Sequence, residues 1–186
     1  SSVRAPPRTK LIERLNEGIN RDLSLVVAPV GYGKTTLVAE WVGQLQHPVA
    51  WLSLDHSDND LAMLLAYAIA AIRTVFPQAC PDLYDLLRSP TLPLPEQLAR
   101  VWGNEIDDLP QQLVLVLDDY HYITNPGIHR VIDELLRHPP LQLHLVLATR
   151  TEPPLALGRL RANRRVNELR MQDLRFLPQE AGALFD

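Results

Sequence analysis

A short loop with two glycines, a lysine and two threonines is the clearest chemical signal in the sequence. Residues 28–36 read APVGYGKTT, between the apolar run LSLVV and the helix-like stretch LVAEWVGQL. The spacing matches G-x-x-x-x-G-K-[ST], a loop that joins a strand to a helix and surrounds phosphate oxygens with backbone N–H groups. The small residue Ala28 stands in place of the first glycine. We predict a nucleotide-phosphate site; the alternative is a glycine-rich turn with an incidental lysine.

Each residue type in this loop suits contact with phosphate. Gly31 and Gly33 can adopt backbone angles that bulkier residues resist. Lys34 is predicted to reach the β- and γ-phosphates and to act in catalysis, and the Thr35 hydroxyl is predicted to bind Mg²⁺. The positive end of the following helix adds to the field. The predicted nucleotide-binding residues of the loop are Pro29, Val30, Gly31, Tyr32, Gly33, Lys34, Thr35 and Thr36.

Two neighbouring acids end a second apolar run. The stretch LVLVLDD supplies Asp118 and Asp119. An acid after four or five apolar residues is typical of the carboxylate that holds Mg²⁺ in phosphate-loop enzymes, so we predict that role for Asp118. Asp119 is predicted to polarise the attacking water as a general base. Without the phosphate loop, the pair would be interpreted as two solvated acids at a turn.

Arg150, His121 and a group of arginines are the other candidates. Arg150 ends the run LHLVLATR and is predicted to sense or stabilise the γ-phosphate, because ligands bind at the carboxyl ends of strands in open parallel sheets. The alternative is a loop arginine in solvent.

His121 is interpreted as a partner of the carboxylates, as a link from the nucleotide to a neighbouring loop, or as a structural histidine. A solvated helix face is favoured over a nucleotide or domain contact for Arg159, Arg161, Arg164 and Arg165.

Composition and charge narrow the classes of protein. The 186 residues are 46% hydrophobic and 22% charged, as in an ordinary globular domain. A net charge of −4 argues against nucleic-acid binding by this chain itself, since such domains usually carry a basic face. The lone Cys80 cannot form an internal disulfide, and no Cys/His cluster has the spacing of a zinc site. The longest apolar stretch, 61–72, is too short for a membrane span, so we expect a cytoplasmic chain with no membrane partner.

The elements that must position these residues alternate along the chain. Apolar runs that suit strands buried on both faces lie at 23–29, 49–54, 113–118, 143–150 and 166–171. Helix-like spacing is found at 34–46, 59–75, 94–107 and 126–138. The proline-rich segment 80–95 is interpreted as a loop around one helical turn. The alternation predicts an α/β fold, a mostly parallel sheet of about five strands with helices on both faces. We expect the Arg150 strand to lie between the phosphate-loop strand and the Asp118 strand, as in additional-strand P-loop ATPases.

Several longer phrases resemble a known family. They are APVGYGKTTLVAEW, VAWLSLDHSDND, LVLVLDDYHYITNPGIHRVIDELLRHPP, LHLVLATRTEPPLALGRLRANRRVNELRMQDLRF and PQEAGALF. Over about residues 4–186 they resemble the ATPase module of MalT-type large LuxR-family transcriptional activators, members of the STAND class of signal-transduction ATPases. The DDYH block is more specific than the phosphate loop alone.

The resemblance implies a regulatory ATPase that uses ATP, ADP and Mg²⁺. In such a protein ADP holds a resting form, an inducer with ATP favours a self-associating form, and slow hydrolysis returns the protein to rest. DNA binding would belong to a C-terminal domain that this chain does not include. The resemblance also implies that Arg8 and Leu11 lie near the adenine and that Arg150 is the sensor arginine.

The same resemblance implies a division of the chain. Residues 1–175 would form the nucleotide-binding domain, and residues 176–186 would begin a following helical domain that is truncated. Leu177 stands where a capping hydroxyl is usual, so the start of that helix is weakly signalled.

Two other functions stay open on the residues alone. A P-loop kinase for a small acceptor would need an arginine-rich lid, and GRLRANRR could serve as one. A nucleotide-dependent interaction module would bind without turnover. Multiple-turnover formation of ADP without an added acceptor would favour the regulatory ATPase. A transporter-type ATPase is disfavoured because the sequence has no LSGGQ-like stretch.

Overall fold

The computed structural model describes residues 7–170, which form five strands and seven α-helices. The strands are β1 (Leu23–Val27), β2 (Val49–Ser53), β3 (Leu113–Asp118), β4 (Leu143–Thr149) and β5 (Val166–Arg170). The helices are α1 (Pro7–Glu17), α2 (Lys34–Gln44), α3 (Leu61–Arg73), α4 (Pro81–Leu87), α5 (Pro95–Asp107), α6 (Pro126–Arg137) and α7 (Gly158–Ala162). In this described range no helix is long and apolar enough to cross a membrane.

All five strands are parallel, in the order β2-β3-β4-β1-β5. The predicted α/β architecture is confirmed, and so is the position of β4 between the phosphate-loop strand β1 and the acid-bearing strand β3. Because the strands are parallel, the loops after β1, β3 and β4 all emerge at one edge of the sheet. This edge brings the candidate site residues together.

The central strands are buried on both faces, and the two faces differ in residue type. The valine-rich face packs against α1 and α2, and it contains Val26, Val114, Val116 and Val146. The leucine-rich face packs against α3 to α7, and it contains Leu25, Leu115, Leu117, Leu145 and Leu147. Each such side chain contributes about 1.5–3 kcal/mol to the free energy of unfolding when it is fully buried. These strands are therefore a rigid support for the loops at their ends.

Two helices differ from the sequence interpretation. α1 lies in a segment for which the sequence pattern assigned no element. α4 extends over seven residues, nearly two turns rather than the single turn predicted. Its N-terminus is capped from a distance, because the Glu105 carboxylate on α5 accepts hydrogen bonds from the backbone N–H groups of Asp82 (2.9 Å) and Leu83 (2.7 Å). A cap supplied 22 residues away leaves no local signal.

A local side-chain cap begins α3. The Asp60 side chain accepts a hydrogen bond of 2.8 Å from the backbone N–H of Met63, as expected of a capping residue before this helix. The last residue of the predicted fifth strand, the helix start at 177 and the segment 176–186 lie outside the described residues.

Candidate functional site

The loop between β1 and α2 has the backbone geometry that the glycines predict. Gly31 has φ of 90° and Gly33 has φ of 71°, both in the left-handed region that favours glycine. A Cβ atom at either position would meet no atom within 4 Å, so the requirement is for backbone conformation rather than space. α2 begins directly after Gly33, with a hydrogen bond of 2.9 Å from the Leu37 N–H to the Gly33 carbonyl. Its free N–H groups therefore point into the loop.

Ala28 holds the start of this loop against β4. It is fully buried, and its N–H donates to the Thr149 carbonyl at 3.0 Å. A small residue fits this buried place, which accounts for alanine at the first position of the motif. Beyond it the loop is open, since Val30 is 63% exposed.

Lys34 is a buried cation at the first position of α2. Its side chain is 7% exposed, and within residues 7–170 it forms no ion pair. Burial lowers the pKa of Lys34; Asp119 and Asp118 oppose this shift, and Arg150 adds to it. An ammonium group held in this way lacks a full counter-charge, and a phosphate would supply one.

Asp118 and Thr35 meet across the sheet edge. The Thr35 hydroxyl donates to both carboxylate oxygens of Asp118, at 3.1 Å to Oδ1 and 3.0 Å to Oδ2. The backbone N–H of Asp119 donates to Oδ1 at 3.0 Å. Asp118 is 3% exposed, and burial, with Asp119 adding to it, raises the pKa of this carboxyl, against the Thr35 hydrogen bond and the Lys34 charge.

A hydroxyl and a carboxylate in contact are suitable oxygen ligands for Mg²⁺. Within the described range no group of three or more His, Cys, Asp or Glu residues could hold a metal by itself. Magnesium in a nucleotide site is usually held by one or two protein oxygens together with phosphate oxygens and water. The residues present therefore fit a magnesium ion that arrives with a nucleotide.

Asp119 lies at a sharp bend. It has φ of 59° and ψ of 40°, a left-handed conformation that costs about 1 kcal/mol or more for a residue with a side chain, although Asp tolerates it better than most. The bend leads into a 3-10 turn, Tyr120–Tyr122, whose last N–H donates to the Asp119 carbonyl at 3.1 Å. The turn directs the chain back towards β4.

Arg150 is exposed at the end of β4, between the phosphate loop and the two acids. Its backbone N–H donates to Nδ1 of His121 at 3.1 Å. Its guanidinium carbon lies 5.7 Å from the centre of the Tyr122 ring, within the range of a cation–π contact. Burial lowers the pKa of His121, and the positive charge of Arg150 acts in the same direction.

The sequence interpretation missed Asn59. Its Oδ1 accepts hydrogen bonds from two consecutive N–H groups, those of Thr124 (2.7 Å) and Asn125 (3.2 Å), and its Nδ2 donates to the Tyr122 carbonyl at 2.9 Å. Asn59 thus ties the segment after β2 to the segment after β3. It stands in DHSDND, where the neighbouring acids suggest only local caps, so no sequence signal indicates this distant contact.

Arg8 and Leu11 lie on α1, beside α2 rather than beside the acids. The Arg8 guanidinium pairs with Glu40 on α2. Leu11 is 5% exposed in the core cluster that contains Trp41. Their predicted contact with adenine stays a prediction.

All four arginines of residues 159–165 are exposed, as the solvated interpretation expects, although only Arg159 and Arg161 lie on a helix, and two of the four also form surface ion pairs. Arg161 pairs with Glu152 at 2.7 Å and with Glu168 at 2.9 Å. Arg165 pairs with Asp22 at 2.9 Å. Arg159 and Arg164 are exposed.

Comparison with curated proteins confirms the resemblance. The chain is 39% identical over 179 residues to the HTH-type transcriptional regulator MalT of Serratia proteamaculans (strain 568), and 37% identical over 179 residues to that of Yersinia enterocolitica. These matches cover 96% of this chain and 20% of each relative, so the chain spans about a fifth of the length of the curated relatives it matches. No family model matches the chain.

Several solved structures share the fold at low sequence identity, among them a Walker-type ATPase. The Walker-type ATPase paby2304 of Pyrococcus abyssi has a TM-score of 0.54 and 14% identity, covering 76% of this chain and 44% of that one. Cdc6p of Pyrobaculum aerophilum has a TM-score of 0.57 and 13% identity, covering 90% and 46%. The Aeropyrum pernix ORC1 protein, solved in complex with DNA, has a TM-score of 0.56 and 15% identity, covering 89% and 44%. At these identities the likeness is one of fold.

Proposed function

We propose that this chain is the ATP- and ADP-binding switch of a longer, cytoplasmic transcriptional activator. It matches about a fifth of the length of its MalT-type LuxR-family relatives. It hydrolyses ATP slowly, and the bound nucleotide sets the state of the parent protein. The single observation that carries the proposal is a buried Lys34 ammonium, without an ion pair within residues 7–170, next to the Thr35–Asp118 contact at the carboxyl edge of a parallel sheet. The phosphates and the divalent cation of a magnesium nucleotide suit such a site.

Binding follows from the phosphate loop. The N–H groups at the start of α2 and the left-handed backbone at Gly31 and Gly33 surround the phosphates. Lys34 neutralises the β- and γ-phosphates, and Thr35 and Asp118 hold the magnesium ion. The ion, when bound, neutralises charge that develops between the β- and γ-phosphates.

Hydrolysis requires a base and a stabilised transition state. Asp119 accepts a proton from the attacking water, whose oxygen bonds to the γ-phosphorus while the bond from that phosphorus to the bridging oxygen breaks. Lys34 and Arg150 stabilise the negative charge on the departing ADP and on the phosphoryl group. The products are ADP and inorganic phosphate, and Asp119 returns the proton to solvent or phosphate.

The switch depends on a difference in affinity between the two nucleotides, because only such a difference can bias a conformational equilibrium. In the full-length parent, ADP would favour the resting form, and ATP with an inducer would favour self-association. Specific DNA contact would come from a C-terminal domain of that parent. The net charge of −4 agrees with DNA contact through another domain, because DNA-binding domains usually carry a basic face.

The test uses the fact that the chain has two lysines, Lys10 and Lys34. An amine-reactive acyl phosphate of ATP places its reactive group where the β- and γ-phosphates bind. We expect peptide mass spectrometry to find the label on Lys34, and excess Mg-ADP to remove it. A simple amine-reactive ester provides the control, because it should modify the exposed Lys10 equally with and without ADP. Equal labelling of both lysines by the ATP probe, insensitive to ADP, would refute nucleotide binding at this loop.

A kinase with an arginine lid is less well supported. Arg161 and Arg165, which such a lid would need free, pair with carboxylates. Release of ADP over many turnovers without an acceptor would favour the switch. Binding without any release of phosphate would leave the interaction-module alternative.

A further inference from the structure

A cavity between α6 and α7, the α6–α7 cavity, lies at the amino edge of the sheet. It has a volume of about 530 Å³ and is bounded by the second half of α6 and by residues of the segment 156–165. Asp22 and Arg165, which line it, stand directly before β1 and β5. The five residues of β1, at about 3.3 Å each, place roughly 16 Å between this edge and the phosphate loop. A ligand in this cavity would therefore not compete with a nucleotide for space.

The size and the walls of the cavity are those of a small-molecule site. Such sites usually have volumes of about 300–1,000 Å³ and combine apolar walls with a few polar groups. Here Leu136 of α6 and Leu160 of α7 are buried and supply apolar surface, together with Pro139. The polar side chains that line the cavity are Asp22, Asp133, Arg137, Arg159, Asn163 and Arg165.

Some of these polar groups are already engaged. The Arg165 guanidinium donates two hydrogen bonds to the Asp22 carboxylate, at 3.0 Å and 2.9 Å. One oxygen of Asp133 accepts a hydrogen bond of 2.8 Å from the Ala156 N–H, which joins α6 to the segment before α7. Arg137 has a longer ion pair with Glu134, at 3.5 Å. The engaged groups hold the walls of the cavity in place.

The remaining groups have unused capacity. Arg159 and Asp133 have opposite charges and line the same cavity, yet they form no ion pair with each other. Arg159 pairs with no other carboxylate within residues 7–170. Asn163, one helical turn after Arg159, makes no side-chain hydrogen bond in the described part of the chain. A cation, a carboxylate oxygen and an amide thus surround a space instead of contacting one another.

We propose that the α6–α7 cavity binds a small hydroxylated organic anion, either a sugar phosphate or a sugar acid. Arg159 and Arg137 hold the anionic group, because guanidinium groups match the geometry of phosphate and carboxylate oxygens. The second oxygen of Asp133 accepts from a hydroxyl group, and the Asn163 amide can both donate and accept. The carbon skeleton packs against the leucines of the wall. This site is separate from the nucleotide site and does not depend on the function proposed above.

The test is a two-dimensional ¹H–¹⁵N NMR titration of the 186-residue chain in excess Mg-ADP, which keeps the phosphate loop occupied. The probes are glucose 6-phosphate, gluconate and neutral glucose. We expect one or both anions to shift the backbone amide signals of residues 133–137 and 156–163, and glucose at the same concentration to leave them unchanged. The anion that binds more tightly shows whether phosphate or carboxylate is preferred.

Two variants separate specific binding from general attraction of anions. Arg159→Gln removes the cation that has no ion pair within the described residues, and we expect it to weaken binding of the preferred anion about tenfold, as for loss of one charge-assisted hydrogen bond. Arg164→Gln is the matched control, because it makes the same charge change at an exposed neighbour that does not line the cavity. It should keep the wild-type affinity. Thermal melting of both variants shows whether they remain folded.

Each outcome bears on the site directly. The inference is overturned if neither anion shifts these amide signals, or if glucose shifts them equally. It is also overturned if Arg159→Gln binds as wild type does, or if Arg164→Gln loses as much affinity as Arg159→Gln. Because NMR signals are assigned to residues, contact of a probe with the loop 28–36 is seen separately. Failure of Mg-ADP to shift that loop would overturn the proposed function and leave this site unaffected.

Discussion

Replacing Lys34 with methionine should stabilise the nucleotide-free protein and reduce its response to nucleotide. The lysine is 7% exposed, and burial lowers its pKa. A lowered pKa means that the ammonium form is less favourable in the folded chain than in the unfolded chain, at every pH where the group is charged in both. At pH 7 an uncharged side chain of similar length removes that cost. We therefore expect Lys34→Met to melt at a higher temperature than wild type.

The rise in melting temperature that Mg-ADP causes should, in contrast, be smaller in Lys34→Met than in wild type. A ligand at 100 times its dissociation constant stabilises a protein by about 2.7 kcal/mol. For a domain of this size each kcal/mol corresponds to about 2–4 °C, so Mg-ADP should raise the melting temperature of wild type by roughly 5–11 °C. A charge-assisted hydrogen bond is worth about 1.5–3 kcal/mol, and its loss weakens binding by roughly ten- to 150-fold. At the same ADP concentration the shift in Lys34→Met should fall to about half of the wild-type shift or less, roughly 1–6 °C.

Thermal melting at pH 7, with and without Mg-ADP, measures both effects in one experiment. Arg100→Met is the matched control, since it removes one positive charge from an exposed position on α5 and should keep the full ADP shift. A wild-type ADP shift in Lys34→Met would refute the assignment of this lysine to the phosphates. A lower melting temperature than wild type without nucleotide would refute the argument from the buried charge.

Asp118→Ala is expected to weaken Mg²⁺-dependent nucleotide binding more than Mg²⁺-free ADP binding, because it removes the carboxylate paired with Thr35; calorimetry with and without EDTA tests this, and equal losses would contradict it. Arg150→Ala is expected to keep ADP affinity within a few-fold while it reduces the discrimination between ATP and ADP by about 1–3 kcal/mol, and an unchanged ratio of dissociation constants would favour a solvated arginine. Burial lowers the pKa of His144 from 6.5 to about 4, so the neutral ring stabilises the fold fully above pH 6.5 and this contribution is lost as the pH falls towards 4. Urea unfolding should show that wild type loses about 3 kcal/mol more than His144→Gln between pH 7 and pH 4, and parallel curves would contradict it.

The parts of the site that the sequence predicted are those whose chemistry is local. The phosphate loop needs two left-handed glycines and a helix start, and all three lie within residues 31–34. Asp118 is the last of the six buried residues of β3 and Asp119 follows it, so the apolar run before them shows that they lie at the end of a strand. The parallel order of strands then brings Thr35 to Asp118, although 83 residues separate them.

The parts that the sequence did not predict are contacts between distant polar residues. Asn59 bonds to Tyr122 from 63 residues away, and Arg165 pairs with Asp22 from 143 residues away. A hydrogen bond of this kind depends on side-chain direction after folding, and the residue types alone are compatible with solvent exposure. His121 belongs to the same class, because its neighbours in sequence indicate only that it lies near the acids.

The environments of Lys34 and Arg150 suggest how two cations in one site can have different roles. Lys34 is buried at the first position of a helix, so we expect its position to be fixed before nucleotide arrives and to suit ATP and ADP alike. Arg150 is exposed and rests near the Tyr122 ring, a contact worth about 0.5–1 kcal/mol at an exposed site. Moving its guanidinium to a γ-phosphate therefore costs little, while the backbone beneath it stays tied to His121. A cation that moves easily on a fixed backbone can report whether the third phosphate is present, and a buried cation cannot.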